Sequence, residues 1–189
     1  MSKHRTFLGF TSVATTAIAV VVLARMMSAH MPFRTDRSSA NPIERSARWW
    51  QAVYILGADC SCSRRVAEHL AQRANLEGLE ERVVFVGADA ATESKLAARG
   101  LPILRWTGEQ VHRVYGARSA PLLVFVDPSG EIRYSGGFAR RNDFRDGFQE
   151  TRIWAELRQG HPVQPLLAYG CALPSSGGAA KLNSGTGVF

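Results

Sequence analysis

The chain has 189 residues, 21% charged and 46% hydrophobic, which describes a globular protein rather than a disordered one and leaves room for one ordinary domain plus an appendage. Its formal charge of +7 does not point to nucleic acid, because the positive residues are nearly all arginines scattered along the chain, with no run of five and no aromatic stacking pattern. That charge reads as a solvated surface, and attraction to anionic lipid headgroups suits it better.

Residues 1–6 form a basic flank with Lys3 and Arg5, and Phe7 to Leu23 carry no charge and are rich in Val, Ala, Ile, Leu and Phe. A basic-flanked apolar segment of this length is near the minimum for crossing a bilayer, so a transmembrane anchor is predicted within residues 7–29. Its rival is a cleaved signal peptide ending at Ser28-Ala29, although Met27 suits that site poorly. Arg25, Arg34 and Arg37 beyond the span offset Lys3 and Arg5, and large domains translocate regardless of such charge. The expectation is a single pass through the inner (cytoplasmic) membrane, with the domain on the periplasmic or extracytoplasmic side. Residues 30–48 read as a linker broken by Pro32, Ser38, Ser39 and Pro42. Trp49 and Trp50 then begin the first strand, cap the domain or sit at headgroup level.

The domain is placed at 49–160. Ala52 to Gly57 is an apolar run, and an amphipathic stretch starting near Arg64 follows it, so Cys60-Ser61-Cys62 stands at a strand-to-helix junction. The free N–H groups and positive dipole end of a helix start favour a thiolate, which attacks disulfides, and a second thiol nearby resolves the mixed disulfide or shares a metal. The plain alternative is that both cysteines are small core residues. Val83 to Val86 reads as a further strand, 91–99 as a helix closed by Gly100, and His112 lies on the helix leading to Pro121. Leu122 to Asp127, a tight turn at Pro128-Ser129-Gly130, and Glu131 to Ser135 form a hairpin. This order implies an α/β fold: a mixed sheet with helices on its faces. Residues 161–189 read as a flexible C-terminal extension, rich in small residues after 173.

The cysteine junction, Tyr115-Gly116 ahead of Ser119-Ala120-Pro121, and the Asp127-Pro128-Ser129-Gly130 hairpin together resemble the thioredoxin superfamily. Within it, the length between Val83 and Val114 resembles the membrane-tethered, TlpA-like thiol–disulfide proteins, and the Cys-x-Cys resembles their RedB-type branch. The resemblance covers roughly residues 50–160. It implies a thioredoxin-like mixed sheet, Cys60 as the exposed nucleophile ahead of the helix, and Cys62 as the resolving thiol. It also implies a cis Pro121, with Ala120 offering its backbone to an extended client strand.

The chain departs from the family pattern in two places. Only Ser61 separates the cysteines, so their disulfide would close a small ring, less stable when oxidised and a better oxidant or isomerase than a reductant. In the other register, Cys60-x-x-Ser63, a serine takes the resolving position and Cys62 is an additional thiol. The position of the family's buried carboxylate holds Tyr54, and Glu68 reads as a surface residue. Arg64 and Arg65 either favour thiolates at the pair or form an exposed helix face. Cys171, the odd cysteine, is an accessory thiol that pairs between chains, folds back on Cys60 or Cys62, or lies buried. His69 is too far along the helix to share a metal with the pair, and His161 lies in a loop.

The leading reading is thus a thiol–disulfide oxidoreductase acting on cysteine-containing client proteins with an unidentified redox partner. It needs no cofactor, because electrons pass between sulfurs. The alternatives are a copper(I) chaperone of the same fold, since two thiolates with an imidazole suit that soft ion, and a non-catalytic interaction module.

Overall fold

The computed structural model describes residues 49–174 and, before them, only Val20. The expected anchor within 7–29, the linker at 30–48 and the tail beyond 174 otherwise lie outside the described residues. Among the described residues no helix is long and apolar enough to cross a membrane.

The apolar run after Trp49 becomes β1 (Trp50–Gly57), buried at every position from Gln51 to Gly57. Such a continuous run fits a strand covered on both faces. Helix α1 (Ser61–Gln72) follows, then β2 (Leu79–Val86), α2 (Ala90–Ala98), β3 (Ile103–Trp106) and α3 (Gly108–Tyr115). A two-residue β4 (Ser119–Ala120) precedes the hairpin of β5 (Leu122–Val126) and β6 (Ile132–Gly136), and α4 (Glu150–Arg158) and β7 (Cys171–Ala172) complete the order. Five strands form one sheet in the order β3-β2-β1-β5-β6, and β4 pairs with β7 in a second. β1, β2 and β3 run parallel, whereas β5 is antiparallel to both β1 and β6. The Asp127 carboxylate accepts the N–H groups of Ser129 and Glu131 at 2.9 and 3.0 Å, which sets the turn of the hairpin.

Successive residues of β1 feed opposite cores. Ala52, Tyr54 and Leu56 pack with Val66 and Leu70 of α1, Leu96 of α2 and Ile153, Trp154 and Leu157 of α4. Val53 and Ile55 pack on the other face with Val111 and Tyr115 of α3. Trp50 begins β1 and meets Trp154 edge-on, with ring centroids 5.4 Å apart, while Trp49 is exposed. β3 was not separable in the sequence, because four residues carry too little periodicity to stand out.

Residues 161–174 differ from the expectation of a flexible extension: they run back over the domain. Gly137 donates its N–H to Leu166 O at 2.9 Å, Leu173 donates to Arg118 O at 2.8 Å, and Ala168 is buried. The backbone contact at Gly137 is close enough that a Cβ there would lie 2.1 Å from Leu167 O. Backbone pairing, not an apolar pattern, orders this stretch, so composition does not reveal it. Because Trp154 joins Trp50 and Phe125 on one face, Trp154→Ala is expected to lower the free energy of unfolding by about 3–5 kcal/mol, read from the denaturant midpoint.

Candidate functional site

Cys60 ends the loop after β1 and is the N-cap of α1, with extended backbone angles (φ −118°, ψ 113°). Its carbonyl accepts the N–H of Arg64 at 3.0 Å, the first bond of the helix, and its thiol donates to Ala120 O at 3.4 Å. The Ala120–Pro121 peptide is cis. A helix starting at a thiol, a cis proline facing that thiol across β4, and the β3-β2-β1-β5-β6 sheet are now all in place. The fold is thioredoxin-like.

Cys60 is only 2% exposed, which corrects the expectation of an exposed nucleophile: Ala120 covers its sulfur, and β7 lies along β4. Cys62, inside the first turn, is the more exposed of the two and packs beside the α1-side core. Ser63 is buried, and its hydroxyl accepts the Gly57 N–H at 3.0 Å, so it ties the end of β1 to α1. All three cysteines are free thiols.

The Cys60 thiol is lowered from 9.0 to about 4, chiefly by a hydrogen bond from the Cys62 thiol. Burial opposes this, while the Cys171 thiol and the N–H and hydroxyl of Ser63 support it. Cys62 is pushed well above its ordinary value, first by its hydrogen bond to Cys60 and then by burial. Cys171 is pushed up to about 12 by burial and by the same Cys60 sulfur. The result is one acidic thiol beside two that hold their protons, and ionisation of Cys60 gives up its bond to Ala120 O. Of the two readings of the arginines, the exposed helix face is the one the structure has. Arg64 is exposed, and Arg65 donates to Asp143 O at 3.0 Å with its guanidinium 5.0 Å from the Phe144 ring centroid.

Tyr54 belongs to a buried charged network. Its hydroxyl donates to Glu81 Oε2 at 2.6 Å and accepts from Arg73 Nη2 at 2.6 Å. Arg73 also pairs with Glu81 and reaches Glu150 Oε1 at 3.2 Å, and Glu150 in turn meets His69. Burial pushes the Tyr54 phenol well above its ordinary value, so it is no base at neutral pH. Burial also disfavours the Glu81 carboxylate, but hydrogen bonds from Arg73, Tyr54 and the Leu76 N–H outweigh it and hold Glu81 below its ordinary value. The network was not legible in sequence, since Tyr54 and Glu81 stand 27 positions apart and His69 and Glu150 stand 81 apart. Glu68 is exposed, as expected.

The other two histidines among the described residues have partners outside the thiol cluster: His112 Nε2 lies 2.9 Å from Arg118 and His161 Nδ1 lies 3.1 Å from Glu156. Among the described residues, no group of three or more His, Cys, Asp or Glu side chains is placed to hold a metal ion. Cys60 and Cys171 line instead a cleft of about 460 Å³ whose lining also includes Asp59, Gly87 and Pro174. β7 brings Cys171 there by pairing antiparallel with β4, in a register that sets Cys171 against Ala120 and Ala172 against Ser119.

No family model and no curated protein matches the sequence. Among solved structures, an uncharacterized conserved protein from Geobacillus kaustophilus is similar to 78% of this chain over 90% of its own, at 17% identity and a TM-score of 0.54. That likeness is one of fold. A secreted Mycobacterium tuberculosis disulfide oxidoreductase homologous to E. coli DsbE overlaps less: 44% of this chain and 66% of its own, 16% identity, TM-score 0.37. The thioredoxin domain of a Bacteroides vulgatus thiol-disulfide oxidoreductase overlaps 55% of this chain and 82% of its own, at 16% identity and a TM-score of 0.38.

The ultraviolet absorbance of the reduced protein is expected to show one thiolate at neutral pH, lost as the pH falls through about 4. Cys62→Ala removes the largest donor to that thiolate and shifts the midpoint upward. An unchanged midpoint, or one near that of a free thiol in the unsubstituted protein, would remove the case for an activated Cys60.

Proposed function

We propose that this protein is a membrane-anchored thiol–disulfide oxidoreductase acting on cysteine-containing client proteins, with Cys60 as the attacking thiolate and Cys62 as its partner thiol. The observation that carries this reading is the Cys60 sulfur at a helix start, 3.4 Å from the carbonyl oxygen of the residue that precedes a cis proline. A client disulfide entering there meets a thiolate, and the backbone of Ala120, next to Pro121, is the group an extended client would pair with. A kinship with TlpA-like proteins of the RedB type belongs to the same reading. No cofactor is needed for this chemistry. The anchor is residues 7–29 in the inner membrane, with the domain on the extracytoplasmic side, facing an unidentified redox partner.

Titration in dithiothreitol redox buffers tests the chemistry. A reversible two-electron couple is expected, lost in Cys60→Ser. A couple that survives in Cys60→Ser would reject Cys60 as the nucleophile, and stoichiometric Cu(I) binding without any disulfide exchange would favour the copper-chaperone reading instead. The full-length protein is expected to stay with membranes through carbonate extraction, and recovery of a mature chain beginning near His30 would show cleavage in place of anchoring.

A further inference from the structure

The cleft that exposes the Cys60 site does not include Cys62. Its lining runs from Gly57 through Cys60, crosses Val86 and Gly87, and closes with Cys171 to Pro174. Cys171 reaches that position on β7, which pairs with Ala120, the residue whose carbonyl accepts from the Cys60 thiol. The approach is tight: a Cβ on Gly170 would lie 1.8 Å from Ala120 O and 2.8 Å from Pro121 Cδ, so the strand docks only with glycine there. β7 therefore holds the edge of β4 that the exchange reading assigns to a client strand, and it carries a thiol. Cys62 is differently placed. It sits in the first turn of α1 against the core, and a disulfide to Cys60 would close a ring through Ser61 alone.

We propose that Cys171 is the resolving thiol of this site, delivered to Cys60 by β7 when that strand takes the Ala120 edge from a departing client. The inference rests on the exchange reading and changes the identity of the second sulfur. The Cys60 thiolate attacks one sulfur of a client disulfide, forming a mixed disulfide and expelling the other client sulfur as a thiolate. β7 then re-pairs with β4, and the Cys171 sulfur attacks Cys60 Sγ. The Cys171 proton passes to the leaving client thiolate, and the first expelled thiolate takes its proton from water. The client gains two electrons and leaves as a dithiol, and the protein is left with a Cys60–Cys171 disulfide. A dithiol reductant restores the two thiols. Conversion of Cys60 to a mixed disulfide also removes the negative charge that holds the Cys171 proton in place.

The test uses the full-length reduced protein and a peptide dimer joined by one disulfide, with acid quenching, alkylation and non-reducing peptide mapping. In the unsubstituted protein a Cys60–Cys171 linkage is expected to accumulate with release of reduced peptide. Cys171→Ser and Gly170→Ala are each expected to stall as the Cys60–peptide mixed disulfide, whereas Cys62→Ala reacts more slowly at Cys60 and does not stall. Gly170→Ala leaves every thiol intact and reports strand docking alone, so resolution by that variant at the unsubstituted rate would overturn delivery by β7. A Cys60–Cys62 linkage in the unsubstituted protein, with stalling in Cys62→Ala only, would overturn the assignment of Cys171 and leave the exchange reading standing. Failure of the peptide to couple to Cys60 in every variant would overturn both.

Discussion

The register of β1 is the constraint on which the rest of the structure depends. Its side chains alternate between two cores, so a slip of one residue would send Tyr54 and Leu56 into the α3 face and Val53 and Ile55 under α1. Pairing on both sides fixes it further, with Gly57 opposite Val86 of β2 and Ile55 opposite Leu122 of β5. Leu122 follows the cis proline directly, and Cys60 follows Gly57 by three residues. One strand thereby sets the height of the thiol relative to the Ala120 carbonyl, and Ser63, bonded to the Gly57 N–H, holds the helix to the same level.

The electrostatics of the site follow from how few charges it contains. The acidity of Cys60 comes from neutral donors, two thiols and a serine, while Arg65 is committed to Asp143 and Phe144. The formal charges lie deeper, where Arg73, Glu81 and Glu150, with His69 beside Glu150, join α1, β2 and α4 around the Tyr54 hydroxyl. A buried set of this kind is costly to disturb, because removal of one member leaves its partners charged and unpaired. Its place under the helix that bears Cys60 makes it a structural support for the site, and in the proposed exchange proton transfer is left to the thiols themselves and to water.

What the sequence made legible was local. The apolar run of β1, the cysteines at a helix start, the helix closed before Gly100 and the Asp127 turn are each signalled within a few neighbouring residues. What it concealed was set by pairing over distance. β7 has two residues and no periodicity, yet Cys171 lies opposite Ala120, 51 positions earlier in the chain. The burial of Cys60 was hidden for the same reason, since the groups that cover it come from β4 and β7. The sequence left the role of Arg65 open because its partner, Asp143, belongs to a segment before α4 that shows no pattern of its own.

For the exchange proposed above, the attachment of β7 to the same polypeptide as β4 would have a consequence for selectivity. A strand tethered to its binding edge competes at an effective concentration on the order of millimolar, whatever the concentration of free clients. Two residues of pairing make a weak clasp, but a persistent one. Peptides that merely resemble an extended strand are outcompeted at ordinary cellular concentrations, and a partner gains the edge only if it brings a longer contact or traps itself covalently. Discrimination then rests on reactivity and length of engagement more than on the side chains of the incoming strand.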